Sequence, residues 1–536
     1  MVKLNDLINR GDVISITNGK LHITPKSGKP VPSDWLHIHQ NTLLSPQKSS
    51  ILLVGFMTLL HLFLAFNVEL GGDEAHYALY GLMPDWSYFD HPPLIGWLQI
   101  IPMWLAPYDW SARLVPIAIY ALLNYLLYQI TVTFFAENTT NNIANKTQTA
   151  WKGFASLVVL NTSMILSLMG MAMLPDNPLM VSVLVLVLVT HKLLQTNQTK
   201  YWLLLGLFVG LAALSKYTAV TVIASLVLVL LVERKWQWLT SKGLWLAIII
   251  ALIMIIPILY WNAIHDWASF IYQIDHGTRH SDWRLSRLLQ TQAIQLVSYT
   301  PFVFIMGWWM MLKPSNYQQT NTRLLLLFSL PITLLFAWGS GYEKSLPHWV
   351  SLAWVLLIPI IVQFLWQIRF KRWVKIVSGL HIVLMGVLVL VVHSLLFSPW
   401  INFPDHKNPL QGDYGWPKAA QTAVDLQKEL GKTPEELPLF VSNWSYASHL
   451  AWYSRPQPIY ITSGKQTQFE FWFGKAKAGM NGLLVSPHYE KIPPITGTAN
   501  HFESCTPLKQ LNEPSQGPII VTYHYYLCKN FIAENK

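Results

Sequence analysis

Long apolar runs separated by short polar joints organise most of this chain. Stretches such as "SVLVLVLVTHKLL" and "LAIIIALIMIIPILYW" follow one another too closely, and are too uniformly apolar, for the one-faced patterns of soluble helices or strands. Segments long enough, or nearly long enough, to cross a bilayer fall at about 51–69, 112–135, 153–174, 177–195, 201–214, 217–233, 243–261, 289–312, 322–339, 347–367 and 374–397, which predicts eleven spans. The runs at 201–214 and 217–233 are short and parted only by "SKY", so two thin spans and one long hairpin both fit. "PPLIGWLQIIPMWLAP" is shorter than a span and bounded by prolines, which suits a helix lying along the membrane surface. After Leu396 the runs stop. Alternating stretches "LPLFVSNW", "QPIYITSG" and "GPIIVTYHYY", divided by Pro and Gly turns, predict a small mixed α/β domain over residues 398–536. The first 50 residues read as a polar, β-containing tail.

Composition agrees with this pattern. Of 536 residues, 52% are hydrophobic and 12% charged, against roughly 25% charged in an ordinary soluble domain. The 25 Trp and 22 Tyr fit rings that collect where lipid meets water. A net charge of +10 without a basic run interleaved with aromatics is no nucleic-acid signal. The first apolar run starts only at Ile51, so the expectation is an uncleaved first span and no cleavable signal peptide. The two cysteines, Cys505 and Cys528, lack zinc-ligand spacing and would pair only in an oxidising compartment.

Charge sets the orientation. With the N-terminal tail cytoplasmic, thirteen Lys and Arg fall in inner loops, from Lys146 to Lys375, against Arg113, Lys216, Arg279, Arg284, Arg287 and Lys344 outside. The positive-inside rule then predicts N-terminus in and, with an odd span count, C-terminus out. The same assignment puts Glu69, Asp73, Glu74, Asp85, Asp90, Asp109, Asp176, Asp266, Asp275, Asp282 and Glu343 on the outer face. Acids are not governed by the insertion rule, so their one-sidedness needs another cause.

The acids sit in informative places. Adjacent Asp73 and Glu74 at the end of the first span repel each other and are poorly hydrated, so one has a raised pKa or the two share a cation; either suits general-base or metal chemistry. The plainer reading is a helix cap with Asp73 as N-cap. In "DWSYFDHPPL" the double proline holds Asp90 and His91 in a defined loop, although Trp86, Tyr88 and Phe89 alone would make a plain interfacial turn. Asp176 in "LPDNPL" could simply cap a helix, Lys216 in "LSKYTAV" could snorkel, and Glu343, Lys344 and His348 in "GYEKSLPHW" could be an interfacial loop. Taken singly the plain readings are favoured; taken together they leave the gathering of acids and cations on one face unexplained.

"DEAHY", "DWSYFDHPPLIGWL", "LPDNPL", "LSKYTAV" and "EKSLPHW", in this order, resemble the bacterial membrane glycosyltransferases of the dolichyl-phosphate-mannose protein mannosyltransferase-like superfamily, nearest the lipid A aminoarabinose and galactosamine transferase branch. The resemblance covers roughly residues 51–400, and "SNWSYASHLAWYSRPQPIY" with "QFEFW" resembles the region after the last span in such proteins. It implies an all-α polytopic GT-C helical bundle with a small α/β periplasmic C-terminal domain: a cytoplasmic tail at 1–50, a transmembrane domain at 51–397 whose first outer loop is 70–111, and a periplasmic domain at 398–536. It further implies an inverting transferase of the bacterial inner membrane, passing a sugar from a polyprenyl-phosphate carrier to lipid A or another envelope glycan, with membrane lipids as surroundings. By motif, Asp73 matches the acidic residue of the first outer loop that is treated as catalytic, the base for a hydroxyl acceptor, and Glu74 its companion. Asp90, His91, Asp176, Lys216, Tyr217, Glu343, Lys344 and His348 bind substrate, with Arg279 or Arg284 as further cations for the carrier phosphate. No cofactor is certain; a divalent metal at Asp73 and Glu74 stays open. The alternatives are a protein O-glycosyltransferase of the same superfamily, and a transporter or flippase. The latter is disfavoured by the scarcity of mid-span charge and the lack of an internal repeat.

Overall fold

A computed structural model describes residues 13–17, 20–24, 45–136, 143–278, 282–403, 408–487 and 501–532. Near the N-terminus, β1 (Val13–Thr17) and β2 (Lys20–Thr24) pair antiparallel. A bundle of helices follows, and a sheet-containing C-terminal domain ends the chain.

Among the described residues, seven helices are long and apolar enough to cross a membrane, or eight if one bent pair counts as a span, where the apolar runs mark eleven segments. They are α1 (Pro46–Asn67), α4 (Asp109–Phe134), α7 (Asp176–Thr196), the consecutive α10 (Lys242–Met254) and α11 (Ile256–Ile264), α15 (Thr320–Gly339), Pro347–Gln367 including α16 (Ser351–Gln367), and α17 (Arg372–Phe397). The difference arises where apolarity continues across a backbone break. Residues 289–312 form α13 (Leu285–Ser298) and α14 (Pro301–Leu312), bent by 117° at Thr300. Residues 201–233 form α8 (Thr199–Ser215) and a shorter helical stretch, Tyr217–Val232, ending in α9 (Val220–Val232), parted by Lys216 in extended backbone. Residues 153–174 split into α5 (Ile143–Asn161), which opens on polar turns, and α6 (Met164–Leu168).

Burial sorts the long helices. Every residue from Ser351 to Val362 is buried, which puts α16 at the centre of the bundle. By contrast Lys242–Ile264 and α17 bury only 11% and 17% of their most apolar stretches, and their exposed Leu, Ile and Val side chains suit lipid contact. Between α1 and α4 lie two short helices, α2 (Gly72–Leu82) and α3 (Leu94–Leu105), the latter started by the prolines at 92 and 93.

The C-terminal domain has a five-stranded sheet, order β4-β3-β5-β7-β6, from β3 (Leu439–Val441), β4 (Ile459–Ile461), β5 (Gly482–Pro487), β6 (Phe502–Glu513) and β7 (Val521–Phe531). Strands β4, β3 and β5 run parallel, and β7 is antiparallel to β5 and β6. Helices α18 (Trp416–Glu429), α19 (Trp444–Ser454) and α20 (Gln468–Phe473) pack with it. Cys505 and Cys528, opposite each other on β6 and β7, are disulfide-bonded. Helix α19 lies against α2, so the domain sits on the loop between the first two long helices.

Candidate active site

The N-cap of α2 is Gly71, not Asp73. Glu74 at the third helical position accepts from the Gly71 backbone N–H at 3.0 Å, the one half of a capping box that a glycine N-cap permits. The same carboxylate takes the Arg113 guanidinium side-on, with Nε at 2.7 Å from Oε1 and Nη2 at 2.6 Å from Oε2. Both partners are buried, and Arg113 also donates to the Val68 and Glu69 carbonyls. Both Glu74 oxygens are thus committed to holding α1, α2 and α4 together. Among the described residues no group of three or more His, Cys, Asp or Glu is placed to hold a metal.

Asp73 is left over. Its carboxylate is partly exposed and has no hydrogen-bond partner among the described residues. Burial pushes its pKa up to about 6; His76 and Lys216 pull it down, and Asp413 and Asp90 push it up. The raised value expected of this acid pair is present, but its cause is desolvation rather than repulsion from Glu74.

One and two turns along α2, His76 and Tyr80 reach Asp90. His76 Nε2 lies 3.1 Å from Asp90 Oδ2, and the Tyr80 hydroxyl donates to Asp90 Oδ1. His76 Nδ1 meets Ser448 Oγ of α19 at 3.1 Å. The Asp90 carbonyl accepts from Gln273 at 2.8 Å, on α12 (Ala268–Thr278). Burial alone would raise the Asp90 pKa, but His76 above all, with His91 and Tyr80, holds it below the usual carboxylate range. The neighbouring His91 ring packs edge-on to Tyr77, and its buried Nδ1 is without a partner among the described residues. Burial takes its pKa down to about 4. Of the three aromatics beside this pair only Trp86 is exposed; Tyr88 and Phe89 are buried, and Tyr88 stacks on Tyr80 at 3.6 Å.

A second cluster faces this one. Lys216, in the break after α8, donates to Asp176 Oδ1 at 2.9 Å and Oδ2 at 2.8 Å, both residues being buried. His348 Nε2 is 4.0 Å from Asp176 Oδ2, and the Trp349 ring lies 5.7 Å from the ammonium. Asp176 therefore holds Lys216 in place, and the ammonium's third N–H remains for a ligand. Lys216 is near enough for its charge to act on both Asp73 and His91. Tyr217 turns its hydroxyl to Ser269 at 2.7 Å. Glu343, Lys344 and Arg284 are exposed and join neither cluster, because the loop before His348 opens outward; Arg279 lies outside the described residues.

The C-terminal domain engages further acids. Glu69 accepts from the Gly415 and Trp416 backbone N–H groups, at 2.6 and 3.0 Å, at the start of α18. Burial raises its pKa to about 7 against those two bonds, with Asp109 and Asp413 adding to the rise. Asp109 accepts from Trp452 Nε1 and the Tyr453 hydroxyl, both at 2.7 Å. Asp413, reaching back from the domain, accepts from Gly72 N at 3.0 Å and pairs with His449 at 3.2 Å. Asp85 accepts from Trp261 Nε1 at 2.9 Å. Docking a domain thus accounts for part of the acid gathered on this face. Sequence reasoning missed His76, Arg113, Asp413, Ser448 and His449 as site builders, although His76 stood in view between Glu74 and Tyr77.

A bundle of membrane-length helices that gathers a free carboxylate, a partly buried Asp–His pair and a held lysine at one end defines a polytopic membrane enzyme. Residues 90–261 match the family described as dolichyl-phosphate-mannose-protein mannosyltransferase. The lipid A galacturonosyltransferase RgtD of Rhizobium johnstonii is 22% identical over 365 residues, 66% of this chain and 73% of that protein. The fold is that of ArnT from Cupriavidus metallidurans. The apo form has a TM-score of 0.55 at 16% identity, covering 81% of this chain and 92% of that one. The form bound to undecaprenyl phosphate gives 0.58 at 15%, covering 89% and 97%. The chain is a glycosyltransferase, similar to those of the GT-C, protein-mannosyltransferase-like type.

Proposed function

We propose that this enzyme moves a sugar from a polyprenyl-phosphate carrier to lipid A on the periplasmic face of the inner membrane, with Asp73 and Lys216 as its principal groups. The observation that carries the reading is Asp73: a carboxylate in the loop between two long helices, without a hydrogen-bond partner among the described residues, its pKa near 6, within electrostatic reach of a held lysine. The relative that acts on lipid A and the fold shared with a protein bound to undecaprenyl phosphate support the choice of acceptor and carrier. The disulfide supports an oxidising compartment for the C-terminal domain.

In the transfer an acceptor oxygen attacks the anomeric carbon from the face opposite the carrier, the bond from that carbon to the phosphate oxygen breaks, and the phosphate leaves with one more negative charge. Lys216 stabilises that charge more in the transition state than in the ground state, and Asp176 keeps the ammonium aimed without reorganisation. A hydroxyl acceptor gives its proton to Asp73, largely ionised at neutral pH. A phosphate acceptor brings none, and Asp73 then orients the sugar. His76, Asp90 and Tyr80 fix the helix and loop on either side. Purified protein in liposomes with undecaprenyl-phosphate sugars and lipid A tests the reading: glycosylated lipid A is expected, and intact donor with unmodified lipid A rejects it.

A further inference from the structure

The face of α2 that carries Asp73 is roofed by the C-terminal domain. Asp73, His76, Tyr77 and Tyr80 recur at helical spacing and share that face. At its start the domain comes so close that a Cβ on Gly72 would lie 2.3 Å from Ser445 Oγ. One residue before Ser445, the Trp444 ring stands 5.3 Å from that of His76. From α20, Trp472 approaches the same imidazole at 5.6 Å and Tyr80 at 5.7 Å. Two indoles from two helices of one domain therefore flank the turn of α2 that follows Asp73. Trp472 also packs against both the bundle core and the C-terminal core, which fixes it relative to each.

Their donors set these two rings apart from their neighbours. Trp261, Trp416 and Trp452 each spend the indole N–H on a protein oxygen, at 2.9, 2.9 and 2.7 Å. Neither Trp444 nor Trp472 has a partner for its N–H among the described residues, and Trp444 is 39% exposed. A tryptophan held by ring contacts on one side, open on the other and with its donor unspent, offers an apolar plane and one hydrogen bond together. A pyranose presents the complement, a face of C–H groups rimmed by hydroxyls.

We propose that Trp444 and Trp472 are the wall that receives the sugar ring of the donor, so that the C-terminal domain supplies part of the substrate site and turns the anomeric carbon toward Asp73. The inference rests on the transfer reading above and adds the sugar-binding group to it. The wall touches the sugar and not the carrier phosphate, which is left to Lys216, and this separation makes it testable.

The experiment uses the full chain in detergent with undecaprenyl phosphate alone and with undecaprenyl phosphate carrying a hexose, a hexuronic acid or an amino-pentose. For the donor that is transferred, Trp444→Ala is expected to raise KM about ten-fold while changing the affinity for undecaprenyl phosphate less than about two-fold, and Trp444→Phe to recover most of the loss. An unchanged KM in both Trp444→Ala and Trp472→Ala overturns the wall. So does an equal loss of affinity for the bare carrier, which marks a packing role. Tryptophan emission separates this inference from the reading it rests on. Wild-type protein that transfers none of the sugars, yet is quenched by sugar-bearing carriers and not by undecaprenyl phosphate, overturns transfer and keeps the wall. Quenching that survives with both rings replaced, in Trp444→Ala with Trp472→Ala, overturns the wall and leaves transfer standing.

Discussion

Asp73→Asn should stabilise the protein while removing its activity. A carboxylate whose pKa rises from 3.8 to about 6 on folding is held in its charged form at a cost to the fold. By proton linkage that cost is about 3 kcal/mol at pH 7.5 and falls to about 1 kcal/mol at pH 4.5, as the folded carboxyl becomes protonated. The sign follows from the raised value: the stability Asp73 takes part in is full below pH 3.8 and is lost as pH climbs through 6. Asparagine keeps the shape without the charge, and Asp73 accepts no hydrogen bond from a described residue that the change would break. The expected outcome is an unfolding midpoint higher by roughly 2–5 °C at pH 7.5, a smaller gain at pH 4.5, and a loss of transfer of at least about 100-fold. Scanning fluorimetry at the two pH values and a donor-turnover assay on the same preparations measure all three. A neutral or destabilised variant at pH 7.5, or a gain as large at pH 4.5, refutes the desolvated carboxylate.

Other predictions follow from the same geometry. For a hydroxyl acceptor, kcat/KM in the wild type should fall about ten-fold per pH step below about 6, and Asp413→Asn should move that limb to lower pH by removing a charge that raises Asp73, as a pH–rate profile would record. Glu74→Ala should lower stability by about 3–5 kcal/mol, because it strands the buried Arg113 guanidinium; unfolding midpoints read this, and a fold as stable as wild type contradicts it. Lys216→Met should lower kcat by about 100-fold or more and also lower stability, because it strands the buried Asp176 carboxylate; single-turnover rates on the folded protein would show whether the chemical step is what slows.

Apolar run length located the long helices of the bundle, because lipid demands uniform apolarity and nothing soluble imitates it. It did not show where the backbone breaks, since hydropathy summed over 289–312 is blind to the 117° bend at Thr300. Asp73, Asp90, His91 and Lys216 stood out because charge beside a span or a double proline is rare in so apolar a chain. What each charge touches was illegible. Glu74 meets Arg113 39 positions away, and Glu69 meets Gly415 346 positions away, separations at which no local spacing rule reaches. The acid-rich face read as one site and resolves into two uses: Asp73 and Asp90 around the open position, and Glu69 and Asp109 binding the C-terminal domain.

The most direct test of the central claim is mass spectrometry of lipid A from cells that lack the protein and carry either the wild-type chain or Asp73→Asn at equal membrane abundance. The account predicts a lipid A species heavier by one glycosyl residue with the wild type and its absence with the variant. Lipid A unchanged by the wild type, or glycosylated equally by both, contradicts it.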